Sequence, residues 1–435
     1  MIEIIIISYS YPPVNAPAAQ RPYFFAKYIH KYGIRSSVLT SNSSDSSLGH
    51  SEWATELLMV EVIRTANIRI DSLRTLKNKS LDKSPQKVGI QWKAKLYRLL
   101  SELTIPDKGM LWIPFALYRG IKQIRHRKPA IIFSTSPLFS NHIVALMLKK
   151  IFKIPWIADF RDFHYIENIE SAGYQFSWRF HRLLEKKVLT LADRVVFISH
   201  SMKNIYTMHY PMIANKTDVI YNGLDIMEYE PLLSIPQGKP FTIFYAGSFY
   251  AGERSPLPLM LALEHLVTTG EIPSKDISVL IAGNIEKHLQ EELMKLQCYK
   301  AINFLGIISR KNVIDQAKKS HLLWLIIGNE VKHSAGFPVK GYEYMGAGRP
   351  ILAFVPPNTE ASDILTATGT GIMMENSIEH NAVTKNAETI RNVYLKYKAG
   401  ELNNPLSTNK EIFNLFTRQK QAEQLATVVM QLIKP

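Results

Sequence analysis

The chain has 435 residues, 46% of them hydrophobic and 20% charged, which suits two ordinary folded domains. Its single cysteine, Cys298, excludes an internal disulfide or a cysteine-based metal site and fits a reducing compartment. A net charge of +15 favours anionic partners: phosphorylated substrates, an anionic membrane face or nucleic acid. Nucleic acid is not expected, since no zinc spacing, basic zipper or aromatic RNA-binding box occurs. The apolar run at 4–7 is too short and lacks the basic flank of a signal peptide, and no apolar run is long enough for a spanning helix, so the expected location is cytoplasmic.

The first predicted strand, residues 3–8, runs into "YSYPPVNAPAAQR" and then a helix over 19–31. A strand, loop and helix at this position usually form a phosphate-binding turn, yet no glycine lies between Met1 and Tyr32. Residues 64–98 then hold ten Lys or Arg against two Asp, and 90–105 reads as an amphipathic helix with basic flanks. A solvated loop and a surface helix would look like this, and so would a segment lying on anionic lipid.

Further strands are predicted at 36–41, 130–135, 155–160, 194–199 and 217–222, with helices at 139–152 and 172–192. After "IADF", Asp159, Arg161 and Asp162 crowd the end of an apolar strand, either as a salt-bridge cluster or as groups that handle sugar hydroxyls or a leaving phosphate. A second series follows the aperiodic, proline-bearing stretch 225–240. It has strands at 241–247, 277–284, 302–306, 322–327 and 350–355, and helices at 257–269, 286–298, 310–319 and 339–347. Ile- and Val-rich strands alternating with helices imply parallel sheets covered on both faces. The α/β chain is thus expected to form two doubly wound, Rossmann-like domains facing across a cleft, with ligands beyond the carboxyl ends of the strands. Residues 410–434 read as one long amphipathic helix.

Chemistry-bearing residues cluster at strand ends. In "HSAGFPVKGYEYMGAGRPIL", the turn Ala335–Gly336–Phe337 leads into a helix whose free amides suit an anion, and Lys340 and Glu343 share one helical face. In "FYAGSFYAGERSP", a strand ends at Gly247 and the following loop carries Arg254, a residue able to clamp a diphosphate. A surface arginine and an exposed Lys–Glu pair would give the same letters. No Asp-x-Asp, His-Glu-x-x-His, P-loop or Gly-x-Ser-x-Gly motif occurs, so neither a dedicated metal site nor a cofactor is expected.

Taken in order, these segments resemble the GT-B glycosyltransferases, in particular the family-four-like retaining enzymes that build bacterial surface polysaccharides such as lipopolysaccharide and capsule. The motifs that carry the resemblance are "SYSYPP…R", "STSPLFSNHIVALML", "IADFRD", "ADRVVFIS", "VIYNGLD", "YAGSFYAGERSP" and "PVKGYEYMGAGRPIL". The resemblance implies an N-terminal acceptor-binding domain over 1–225, a C-terminal nucleotide-sugar domain over 226–410, and a final helix over 411–435 returning to the first domain. It implies that Glu343 holds the ribose and Arg254 the diphosphate, with Lys340 assisting and Gly247 at the same site. Gly336 and Phe337 match the turn facing the donor sugar, and Asp159 and Arg161 would stand near the reacting carbon. The first loop, with Asn15, Ala16 and Arg21, would face the cleft from the acceptor side. The resemblance implies a saccharide acceptor, in particular a lipid-linked one, and the basic segment 64–105 would then meet an anionic membrane. One departure is Ala335, where the family often has a second glutamate eight residues before the one matched by Glu343. That keeps two alternatives open: a nucleotide-sugar epimerase of the same fold, and a degenerate scaffold subunit.

Overall fold

In the computed structural model the chain divides into two units, Met1–Tyr221 with Gln421–Pro435, and Asn222–Lys420. Residues described are 2–14, 16–42, 60–67, 106–164, 175–230, 234, 236–237, 240–249, 254–328, 335–402 and 410–433. Asn15 and the basic segment beyond residue 67 therefore lie outside them.

The first unit is built on β1 (Ile2–Ile7), β2 (Ile34–Ser41), β3 (Glu61–Thr65), β4 (Ile131–Thr135), β5 (Trp156–Phe160), β6 (Arg194–Phe197) and β7 (Thr217–Val219). They lie in the order β3-β2-β1-β4-β5-β6-β7, every pair parallel. Strand alternation divides its apolar residues between two cores: Ile4 and Ile6 face one, Ile5 and Ile7 the other. The helices are α1 (Pro17–Tyr28), α2 (Ile113–Arg127), α3 (Ser140–Phe152), α4 (Gln175–Leu191) and α5 (His200–His209). Side chains of α2–α5 fill one core. The other is closed by α1 and by Ala422, Leu425, Ala426, Val428 and Val429 of the last helix. Each such Leu or Val contributes about 1.5–3 kcal/mol when fully buried.

The second unit has β8 (Phe241–Ala246), β9 (Ile277–Ala282), β10 (Ile302–Gly306), β11 (Leu322–Ile326), β12 (Ile351–Phe354) and β13 (Gly371–Met374). The order β10-β9-β8-β11-β12-β13 repeats that of the first six strands of the other sheet. Its helices are α6 (Leu257–Thr268), α7 (Lys287–Leu293), α8 (Arg310–Lys319), α9 (Val339–Ala347), α10 (Glu360–Ala367), α11 (His380–Lys398) and α12 (Lys410–Asn414), and α13 (Arg418–Ile433) follows. Both units therefore have the doubly wound order that reverses beside its first strand, between β1 and β4 and between β8 and β11.

Three features depart from the sequence reading. Residues 410–434 are not one helix: the backbone leaves helical pairing at 415–417. There Leu224 bridges Thr417, its N–H donating to Phe416 O (3.0 Å) while Arg418 N–H donates to Leu224 O (2.8 Å). No glycine or proline marks the break, so a long-range backbone contact overrides local propensity. Residues 411–420 consequently fall in the second unit and 421–435 in the first. Strands β3 and β13, unforeseen in the sequence, are both sheet edges, short and with fewer apolar residues than the central strands. Helices α2, α5, α10 and α11 were likewise not foreseen.

Candidate functional site

The second unit gathers its polar groups where β8 and β11 end, at the reversal of strand order. Gly247 (φ +143°) and Gly283 (φ +141°) let two chain segments approach there, since a Cβ on Gly283 would fall 2.0 Å from Gly247 O. The Gly247 N–H donates to Ala282 O (2.8 Å), which fixes the turn. Over this turn stands Lys340: a Cβ on Gly247 would lie 3.5 Å from its Nζ. The ammonium lies 4.5 Å from the centre of the Tyr245 ring and donates to Tyr245 Oη (3.4 Å). Burial lowers the Lys340 pKa to about 7, and the positive charge of Arg254 pushes in the same direction. Among the described residues no carboxylate forms an ion pair with Lys340.

Helix α9 carries Lys340 and Glu343. Its first turn has no acidic residue and its N-cap, Pro338, makes no side-chain cap, so the leading amides are left to other partners. Gly348 (φ +68°) ends the helix in the left-handed conformation. Tyr344 ties the helix to the sheet by accepting the Ala246 N–H at 2.7 Å, so it sets where Lys340 stands relative to the end of β8. Glu343 Oε1 accepts from Arg310 Nε (2.7 Å), and the same guanidinium donates to both Glu228 oxygens (3.1 and 2.8 Å). The two carboxylates raise the Arg310 pKa against the opposing effect of burial. Glu343 Oε2 accepts no bond from the described residues. The side chain of Phe337 is buried, packed edge-to-face on Tyr342 (4.8 Å) and against Gly341, so only its backbone can serve a ligand at this turn. Gly336 is half-buried beside it and Ala335 is buried.

The first unit treats its charges differently. Asp159 and Arg21, both fully buried, form a bidentate pair: Arg21 Nε and Nη2 donate to the two carboxylate oxygens at 2.9 and 2.8 Å. Thr135 Oγ1 donates to the same carboxylate (2.6 Å), and Arg21 also donates to Tyr221 O (2.8 Å) and Ile220 O (2.9 Å). Asp159, expected near the reacting carbon, and Arg21, expected on the open loop, are thus engaged with one another inside the unit. Arg161 donates to Ala18 O (2.9 Å) and Ser136 O (3.1 Å), so it braces the start of α1 against the end of β4. Burial lowers its pKa, with Asp162 opposing. Ala16 is the N-cap of α1 and donates its N–H to Val14 O (3.0 Å).

The structure therefore brings Gly247, Arg254, Lys340 and the Gly336–Phe337 turn to one end of the second sheet, with Glu343 one helical turn along. It adds three residues missed in the sequence: Tyr245, Arg310 and Glu228. A Tyr two places before the strand-end glycine was the sole local signal for Tyr245. Arg310 and Glu228 are 82 positions apart, so no spacing rule could pair them. A cation pair at an uncapped helix start, with a carboxylate held one turn on, has the chemistry to bind a phosphorylated polyol. Among the described residues, no group of His, Cys, Asp or Glu is arranged to hold a metal ion.

Residues 23–228 match the family model described as Glycosyltransferase Family 4. Solved structures similar over nearly the whole length include sucrose-phosphate synthase from Thermosynechococcus elongatus, 14% identical, with 99% of each chain covered and a TM-score of 0.61. Anabaena HepE in complex with UDP is 12% identical, with 99% of this chain and 100% of that chain covered and a TM-score of 0.61. The lipopolysaccharide outer core galactosyltransferase WaaB is 13% identical, with 99% of each covered and a TM-score of 0.56. By sequence, no curated protein matches the chain. The class is a GT-B fold of two Rossmann-like domains. Within that fold, residues 23–228 are similar to the family-4 glycosyltransferases.

Proposed function

We propose that this enzyme transfers a sugar from a nucleotide-diphosphate donor to a lipid-linked saccharide, with retention at the anomeric carbon, in cell-surface polysaccharide synthesis. The observation that carries the donor assignment is Lys340, held over the Gly247 turn with Arg254 near enough to oppose its charge. Two cations are set together there at the uncapped start of α9. An incoming diphosphate relieves that repulsion, and Glu343 Oε2 is available for ribose hydroxyls. HepE has been seen with UDP and with UDP-glucose, which supports a uridine nucleotide as the first donor to try.

When the glycosidic bond to the diphosphate breaks, negative charge grows on the leaving oxygen. Arg254, Lys340 and the leading amides of α9 stabilise that charge, the part otherwise taken by a metal ion. The acceptor hydroxyl attacks from the face the diphosphate leaves, and its proton passes to the departing phosphate oxygen. No protein base is needed in this scheme, and the first unit contributes the acceptor surface. The enzyme works on the inner face of the membrane, where a lipid-linked acceptor is presented.

A panel of nucleotide sugars, each incubated with a lipid-linked saccharide and read by mass spectrometry and anomeric proton couplings, tests this. A product one sugar longer with the donor's anomeric configuration is expected. A product of opposite configuration overturns retention. Interconversion of the donor's own sugar without transfer supports an epimerase, and tight nucleotide binding without turnover of any donor supports a scaffold.

A further inference from the structure

The two layers that cover the first sheet have different outer surfaces. Helices α2–α5 contain eleven Lys or Arg and a single acidic residue, Glu185. Glu185 is fully buried and accepts from Tyr206 (3.1 Å) and Tyr210 (2.9 Å), so its charge does not reach the surface of the layer. Every exposed large hydrophobic residue described in the first unit also belongs to this layer or to the turn after α5. The opposite layer, made by α1 and α13, has none among the described residues.

On α4 the two kinds of residue are ordered. Phe180 (44% exposed), Leu183 (65%), Lys187 and Leu191 (37%) recur at helical spacing along one outward stripe. Arg179, Arg182 and Lys186 are exposed along one side of it, while Val188 and Leu189 face the core. Neighbouring α3 adds Met147, Lys150 and Ile151 to the exposed surface, and α2 adds Tyr118, Arg119, Lys122 and Arg125. Water solvates isolated apolar side chains well enough, but the α4 stripe is flanked on its own helix by exposed cations, and exposed cations and apolar side chains occur again on α3 and α2, beside the Lys149–Asp193 ion pair, an arrangement that complements one environment. Anionic headgroups meet the cations while the apolar tips enter the acyl boundary. A protein partner would ordinarily be met by charges of both signs.

We infer that the α2–α4 surface docks this unit on an anionic lipid membrane, with the α4 stripe Phe180–Leu183–Leu191 inserted. This deepens the membrane part of the proposed function and rests on it for the purpose of docking. The residues differ from the basic segment 64–105 and from the donor site.

Flotation of the full-length protein, without donor, on vesicles of phosphatidylcholine alone and of phosphatidylcholine with phosphatidylglycerol tests the assignment. Binding to the anionic vesicles only, weakened by added salt, is expected. The triple substitution Arg182→Gln, Lys186→Gln, Lys187→Gln lowers partitioning about 10–100-fold. Phe180→Ser with Leu183→Ser lowers it about tenfold, since two inserted side chains are lost. Lys311→Gln, Lys396→Gln, Lys398→Gln removes the same charge from the second unit and leaves binding unchanged. Retained nucleotide binding and an unchanged circular dichroism spectrum show that the α4 variants fold. Wild-type partitioning by both α4 variants overturns the inference, as does equal loss in the second-unit control. A dimer in sedimentation velocity that Phe180→Ser with Leu183→Ser dissolves, with no vesicle binding by the wild type, reassigns the surface to a second copy of the chain. Failure of vesicle binding leaves glycosyl transfer to a short water-soluble acceptor intact, so the two readings fail separately.

Discussion

The two units share a strand order and differ in how they treat charge at the place where that order reverses. In the first, Asp159 and Arg21 cancel one another in the interior, and Thr135 and the carbonyls of Ile220 and Tyr221 satisfy what remains. In the second, Lys340 is placed beside a like charge at the end of β8, and burial raises the cost. Paired buried charges hold a fold in register, whereas like charges held together are a poor way to stabilise one and a good way to hold an anion. The same scaffold thus makes a brace in one unit and, on the proposed reading, a ligand site in the other.

The comparison can be broken most decisively in the first unit. Asp159→Leu leaves the buried Arg21 guanidinium without its carboxylate and should cost about 3–5 kcal/mol of stability, measured by urea unfolding. A small loss, with activity abolished, would return Asp159 to the catalytic role first expected from its position. In the second unit the balance should reverse. Arg254→Ala and Glu343→Ala each remove a charge-assisted contact and should weaken binding of a UDP-sugar by about 10–100-fold by calorimetry, equivalent to about 1.5–3 kcal/mol. Wild-type affinity in both would remove the donor site from this end of the sheet.

A third effect is smaller and comes from the Lys340 pKa of about 7. A bound diphosphate raises that pKa, so binding takes up a proton between about pH 7 and the higher value in the complex. Affinity for a UDP-sugar should therefore fall as pH rises above about 7, by at most about tenfold per unit. The dependence should flatten in Lys340→Met.

The smallest effect separates a ligand site from a structural one. Because the folded-state pKa of Lys340 lies below its ordinary value, the folded protein holds fewer protons than the unfolded chain between about pH 7 and that ordinary value. Stability contributed through Lys340 thus rises with pH across that window, and the full penalty is present below it. Lys340→Met should raise the Tm of the unit Asn222–Lys420, ligand-free at pH 6.5, by about 2–4 °C, the shift for about 1 kcal/mol in a unit of that size. Donor binding should weaken in the same variant. A lower Tm would mean that the ammonium stabilises the fold through Tyr245.

Much of the site could be read along the chain because its parts are local. Lys340 and Glu343 are three residues apart on one helix, and Gly247 ends a strand whose apolar run is plain in the letters. Arg21 and Asp159 were each singled out, but not as a pair, since 138 positions separate them. The charges after β5 read as a local cluster, and the partner that matters came from α1. The edge strands β3 and β13 escaped for a related reason: each is a strand because a neighbour offers it hydrogen bonds, with little pattern of its own.

Periodicity by itself determined that this protein alternates buried strands with helices in two series, because burial on a sheet imposes an apolar pattern on every central strand. The run of motifs likewise singled out Gly247, Arg254, Lys340 and Glu343 in the second series. Only the tertiary structure decided which charges are neutralised and which remain poised. That depends on partners brought together from far apart in the chain: Arg21 with Asp159 across 138 positions, and Lys340 with Tyr245, beside the turn at Gly247, across 95. It also decided that the last helix breaks at 415–417, where Leu224 supplies hydrogen bonds that no nearby residue could foretell.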